Sequence, residues 1–507
     1  MEIHVEITKA IGLAFAVIIL RYVIQTIYNV FYGPVSNFPG PKISLWSSLP
    51  SFVKAVRGQR WRWVQLELSP KYGKVWRQAP NVLFVADKHI AKEIIINKRR
   101  LLSPAFSVKY IRSLEPLIAK CVRELTENIS SAIKENAPNE EAVINIYKLI
   151  CHTTLDAIGE TAFGGSFNMI QNGNHPLPGE VMRETSRRIV TQHMQLQDGL
   201  SKEVQMKSSN IRHTTLLYMR TDFEWAHANS LISKLHITHC CFHKQRNLFP
   251  ILKPFAKSNG YTYEFSKNLI DKRRQETGTK RKDILQIILD AGEKKELSDI
   301  DIYEQISEFI IAGSDTTSFS TFFTILMLVK NPDKLDKLMD ELDKEFYDLP
   351  RDEIPDHDRL KTLPYLNAVI NEAMRLWPIT LDGGSGRVVP EDTIINGVFF
   401  PKDVLIVVNF YALHRSSEYW GENVDEFVPE RWFEPDVPRD AFYPFSAGSR
   451  NCIGQNFAWL EMRLIIVSLF RRFRFEDIPG QDHWDIEQYL TPSLAKNEYN
   501  IRASIRS

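Results

Sequence analysis

Residues Phe445 to Gly454 read Phe-Ser-Ala-Gly-Ser-Arg-Asn-Cys-Ile-Gly, and this stretch constrains the chain more than any other. The spacing Phe-x-x-Gly-x-Arg-x-Cys-x-Gly would arise by chance on the order of 10⁻⁴ times in a chain of 507 residues. Two glycines allow tight turns around a single cysteine. The segment from Ile453 to Phe470 reads as a helix, whose N-terminal N–H groups favour a thiolate beside it. A lone cysteine is usually an inert core residue. Here every fixed residue has a task if Cys452 is a haem thiolate ligand. Gly448 turns the backbone beside the macrocycle, and Gly454 permits close approach on the iron side. Arg450 reaches a propionate, and Phe445 packs near the ring and shields the sulfur.

Three further segments follow one order along the chain. Ala312-Gly313-Ser314-Asp315-Thr316-Thr317 lies inside a long apolar run; Glu372-Ala373-Met374-Arg375 and Pro429-Glu430-Arg431-Trp432 come next. With the cysteine stretch, these motifs resemble the cytochrome P450 superfamily, and weaker matches extend the resemblance from about residue 37 to 505. The resemblance implies a mostly α fold with a small β part, a single catalytic domain over residues 37–507, and haem b with Cys452 as the axial ligand of its iron. It implies a monooxygenase that inserts one atom of O2 into a lipophilic small molecule. Electrons would come from NADPH through a separate cytochrome reductase, since no flavin- or nicotinamide-binding segment is visible. Asp315 and Thr316 would serve oxygen activation and proton delivery. Glu372, Arg375 and Arg431 would form a buried structural network behind the haem, and Arg387 and Arg99 would join Arg450 at the propionates. The chain is most similar in character to fungal microsomal members, which implies secondary metabolism of a terpenoid, polyketide or alkaloid. Two rivals stay open: a peroxide-driven or isomerising enzyme, and a haem-binding protein that is non-catalytic or impaired.

The N-terminus departs from globular composition. Ala10 to Phe31 is largely apolar and long enough to span a bilayer. No small-residue cleavage site follows, which disfavours a removable signal peptide; a buried amphipathic helix is the alternative. Glu2 and Glu6 precede the segment, whereas Lys42, Lys54, Arg57 and Arg60 follow it. This charge bias predicts a single-pass anchor over residues 1–36 with a cytosolic catalytic domain, and the resemblance to microsomal members implies the endoplasmic reticulum membrane. Phe38-Pro39-Gly40-Pro41 reads as a stiff hinge between the two. A net charge of +1 gives no reason to expect nucleic acid. Five cysteines without paired spacing suit a reducing compartment.

Local patterns predict strands at 75–77 and 82–85 and a short helix from Asp87 to Ile96. Helices are expected over 113–135 and 141–163, and a central one from near Ser298 to Asn331, where Pro332 stops it. About 30 residues make the central helix a rod of about 45 Å. Asp315 and Thr316 are polar residues in its apolar half, a costly placement without a task. Gly313 would thin the helix and leave room for a small ligand. The competing reading has Thr316 bonding back to its own helix. Asn396-Gly397 predicts a hairpin. Phe309, Ile310 and Ala312, the loop Ile379 to Gly384, and Pro492 to Leu494 are expected to line an apolar substrate site.

The chain departs from the family twice. Where the family places tryptophan four residues before Arg99, this chain has Ile95, and the usual pocket-covering loop is shortened around Asn97. A natural shortening and lost coding sequence both stay open. His236-Ile237-Thr238-His239-Cys240-Cys241-Phe242-His243 is rich in ligand residues, but its spacing suits no zinc site. Leu248 to Leu252 is an apolar stretch that could touch a membrane surface.

Overall fold

The computed structural model describes the chain from residue 20 onward, except residues 96–107, 137–139, 174–260, 277–282, 295–298, 449–450, 482–484 and scattered other positions. Expectations for the join around Asn97, Arg99, Arg450, the 236–243 segment and Leu248 to Leu252 lie outside the described residues.

A helical body carries a four-stranded sheet at one side. Strands β1 (Val75–Ala79) and β2 (Val82–Val85) form the predicted hairpin. Helix α1 (Lys88–Ile95) follows, started by Asp87, whose carboxylate accepts from the backbone N–H groups of His89 and Ile90 at 3.0 Å each. Helix α2 (Val108–Glu135) leads to strand β3 (Glu141–Asn145) and helix α3 (Ile146–Ile158). Central helix α4 (Asp299–Lys330) packs against α3, helix α5 (Pro364–Leu376) and helix α6 (Gln455–Arg472). Phe319, Phe322, Phe323 and Leu328 of α4 are wholly buried, as a helix apolar on most sides requires.

The remaining strands are short. Strand β4 (Arg387–Val388) precedes the hairpin of β5 (Thr393–Ile395) and β6 (Val398–Phe400). Asn396 and Gly397 take φ of 49° and 76°, the positive values that a two-residue turn demands. Strand β7 (Leu405–Val408) runs parallel to β2, giving the order β1-β2-β7-β4. Strands β8 (Phe473–Asp477), β9 (Ile486–Gln488), β10 (Pro492–Leu494) and β11 (Asn500–Ile505) complete the set.

Two expectations are corrected. Residues 141–145 are strand rather than helix: Ala142 and Ile144 point inward, and the segment pairs antiparallel with β11. The partner lies more than 350 residues away, so only the tertiary fold selects strand over helix there. Residues 35–41 are docked rather than free to act as a hinge. Val35 is buried with Leu83, Val85 and Phe400, while the Arg77 guanidinium donates to the carbonyls of Val35, Ser36 and Phe38 at 3.1, 3.2 and 2.8 Å. Gly40 lies so close to the Arg77 carbonyl that a Cβ would collide with it.

Among the described residues, no helix is long and apolar enough to cross a membrane. The described part of the 10–31 segment begins at Leu20, and Leu20, Ile24, Ile27 and Phe31 are exposed.

Candidate active site

The loop before α6 is built to present a cysteine. Cys452 donates its N–H to the Phe445 carbonyl at 2.7 Å, closing the loop on itself. Gly448 takes φ of 67°, a left-handed turn that glycine adopts without strain, and Ser446 joins it at 58°. Gly454 starts α6, so the positive end of the helix dipole lies at this loop. A Cβ at Gly454 would sit 3.9 Å from Cys452 Sγ, an ordinary van der Waals contact that places this glycine beside the sulfur. The Cys452 side chain is exposed. Phe445 is half-buried, with its ring 6.4 Å from that of Trp459. An exposed thiol on a glycine-bounded loop at a helix N-terminus suits a haem iron ligand.

On α4, Ala312 is exposed and Asp315 and Thr316 are half-buried, although the helix around them is core. Thr316 donates its hydroxyl to the Ala312 carbonyl at 2.7 Å, the back-bond that was the competing reading for this residue. Its oxygen keeps acceptor capacity. The Asp315 carboxylate accepts from the Thr491 hydroxyl at 3.2 Å and lies 3.4 Å from the Ser314 hydroxyl. Burial pushes this carboxyl up to about 6, and the two hydroxyls act against that rise. Tyr147 and Cys151 face it from α3. Burial drives the tyrosine well above its ordinary range and the thiol up to about 12, so both are neutral.

Gly313 has a different reason from the one expected. A Cβ there would fall 2.5 Å from Ile158 Cδ1, so the glycine lets α3 and α4 approach and makes no room for a ligand. Ile310 is likewise core, 1% exposed, while Phe309 is half-buried against the main cluster. Of the three residues expected to line the site from α4, Ala312 alone is exposed.

Glu372, Arg375 and Arg431 come together in one network. The Arg375 guanidinium holds both Glu372 oxygens at 2.8 and 2.9 Å, and both side chains are 0% exposed. Arg431 Nε donates to Glu372 at 2.9 Å, and Trp432 and the Val428 N–H fill the remaining positions on the carboxylate. Arg375 also donates to the carbonyls of His414, Val424 and Glu426. A buried ion pair with every donor and acceptor matched survives its desolvation cost. Arg387 lies on β4 with Nη1 3.1 Å from the Gly386 carbonyl. One neighbour escaped the sequence reading: Thr491 sits beside the Pro492 to Leu494 segment without any motif of its own. His414 is buried and accepts from the Tyr443 N–H at 3.0 Å.

The family model for cytochrome P450 matches residues 92–504. The chain is 29% identical to cytochrome P450 monooxygenase FUS8 of Gibberella moniliformis, over 99% of this chain and 94% of that protein. Cytochrome P450 monooxygenase mpsF of Macrophomina phaseolina is 32% identical over 79% of this chain and 85% of its own length. Cytochrome P450 monooxygenase acrD of Aspergillus aculeatus is 26% identical, covering 93% and 92%.

Proposed function

Because the chain belongs to the cytochrome P450 family, whose members are haem-dependent oxidoreductases, we propose that it is a monooxygenase with Cys452 as the thiolate ligand of a haem b. The carrying observation is the exposed Cys452 on its glycine-bounded loop at the start of α6. Haem in such a site supplies the splitting of O2 and the insertion of one oxygen atom into a C–H bond or double bond.

The chain's own residues bind, orient and move protons. The closed Phe445–Cys452 loop holds Cys452 at the N-terminus of α6, where a helix dipole would favour a thiolate ligand. Arg387, with Arg99 and Arg450, would neutralise the propionates. Thr316 offers a hydroxyl at the exposed face of α4, and Asp315 takes protons from solvent and passes them inward. The exposed Ala312 favours a lipophilic substrate, whereas Pro492 and Leu494 are buried and leave Ser493 half-exposed between them. Fungal monooxygenases among the relatives support a secondary-metabolite substrate. Electrons would arrive from an NADPH-dependent cytochrome reductase, at the endoplasmic reticulum membrane.

The test is the reduced carbon monoxide spectrum of the full chain. A thiolate adduct gives a red-shifted Soret band, and Cys452→Ser should abolish it. A histidine-type band from the wild type at full haem loading sinks the assignment.

A further inference from the structure

We propose that Thr491 is a positioning residue for Asp315, so that the β9–β10 hairpin sets the orientation and proton affinity of the acid on α4; this rests on the proton-delivery role proposed above for Asp315. Thr491 precedes β10 and is 7% exposed. Its hydroxyl donates to Asp315 Oδ2 at 3.2 Å, across 176 residues of sequence.

The other hydroxyl near the acid is already committed. Ser314 donates to the Ile310 carbonyl at 2.6 Å, and a hydroxyl has one proton to give. Its 3.4 Å approach to Asp315 is therefore the weaker contact. Tyr147 and Cys151, facing from α3, are neutral and supply no charge. Thr491 is thus the best-placed donor to Asp315 among the described residues. It stabilises the carboxylate and fixes one of its oxygens.

The hairpin that carries Thr491 is also tied to other elements. The Gln488 side chain accepts from the Asp382 N–H at 3.1 Å, joining it to the loop Ile379 to Gly384. The Gln488 N–H donates to the Gly58 carbonyl at 2.8 Å. The Leu494 N–H donates to the Tyr147 hydroxyl at 3.2 Å. Two segments expected at the substrate and the acid on α4 therefore meet on one small element.

The test uses the full haem-loaded chain and reads the protonated carboxyl stretch of Asp315 by infrared titration, assigned by its loss in Asp315→Asn. Thr491→Val and Thr491→Ala remove the donor with different steric demands, so a packing fault in one is exposed by the other. Both should move the titration midpoint up by about one pH unit, because the ionised form loses a hydrogen bond. Thr491→Ser should restore it. With reductase and NADPH, product per NADPH should fall several-fold in Val and Ala and recover in Ser. Midpoints unchanged in both Val and Ala overturn the positioning role, even when Asp315→Asn is uncoupled. An Asp315→Asn enzyme coupled like the wild type overturns the proton-delivery reading, and this inference with it.

Discussion

Asp315 and Thr316 have opposite relations to their helix. Thr316 satisfies its proton at the Ala312 carbonyl and keeps lone pairs for a guest. Asp315 carries a carboxyl raised to about 6, neutral below that pH and ionised above it. Such an acid gives and regains a proton with little penalty near neutrality. As pH rises through 6, fewer molecules hold the proton, so product per NADPH should decline over that window in the wild type. Asp315→Asn should give low coupling that is flat with pH. Thr316→Ala should lower coupling several-fold, with Thr316→Ser close to wild type. Coupling equal to wild type in both Asp315→Asn and Thr316→Ala would favour a peroxide-driven or isomerising enzyme. The sequence made these residues visible because polar groups interrupt an apolar helix. It misread their neighbour Gly313, since a glycine that serves a ligand and one that admits a crossing helix look alike until Ile158 is in place.

Elements built from local signals were legible, and those built from distant pairing were not. The β5–β6 hairpin followed from Asn396-Gly397, and Pro332 marked the end of the central helix. Strand β3 depended on β11, and the tie from Thr491 to α4 depended on a hairpin with no motif. Glu461 on α6 is another such case. Its carboxyl is 0% exposed beside Thr317 of α4, and burial holds it well above the ordinary carboxylate range. The sign of its effect on stability follows. In the unfolded chain the group ionises near its usual pKa of about 4.3, whereas the folded protein retains the proton. Unfolding then releases a proton, so stability falls as pH rises above that value, by at most about 1.4 kcal/mol per pH unit. Glu461→Gln cannot ionise. Measured by denaturant melts at pH 5 and pH 8, its stability relative to wild type should improve toward pH 8. A constant difference would mean that Glu461 is ionised in the folded state.

At the scale of the whole molecule, the family match covers residues 92–504 and leaves open where the folded body starts. The Phe38 to Pro41 segment suggested a hinge after residue 36. Packing instead reaches back to Val35, because the buried Arg77 needs carbonyl acceptors and finds them at Val35, Ser36 and Phe38. Two truncations separate anchoring from folding. Removing residues 1–32 takes away the apolar segment that we assign to the membrane and leaves Val35 and its neighbours in place. That protein should leave the membrane pellet with its carbon monoxide spectrum intact. Removing residues 1–36 also deletes Val35 and two acceptors of a buried guanidinium. The loss should be roughly 3 kcal/mol, combining one buried valine with weakened hydrogen bonds to a charged group. The longer truncation should therefore melt several degrees lower than the shorter one. Equal melting temperatures would show that residues 33–36 add nothing to the body. A 1–32 truncation still in the pellet would place the main anchor elsewhere, with the apolar stretch Leu248 to Leu252 the next segment to delete.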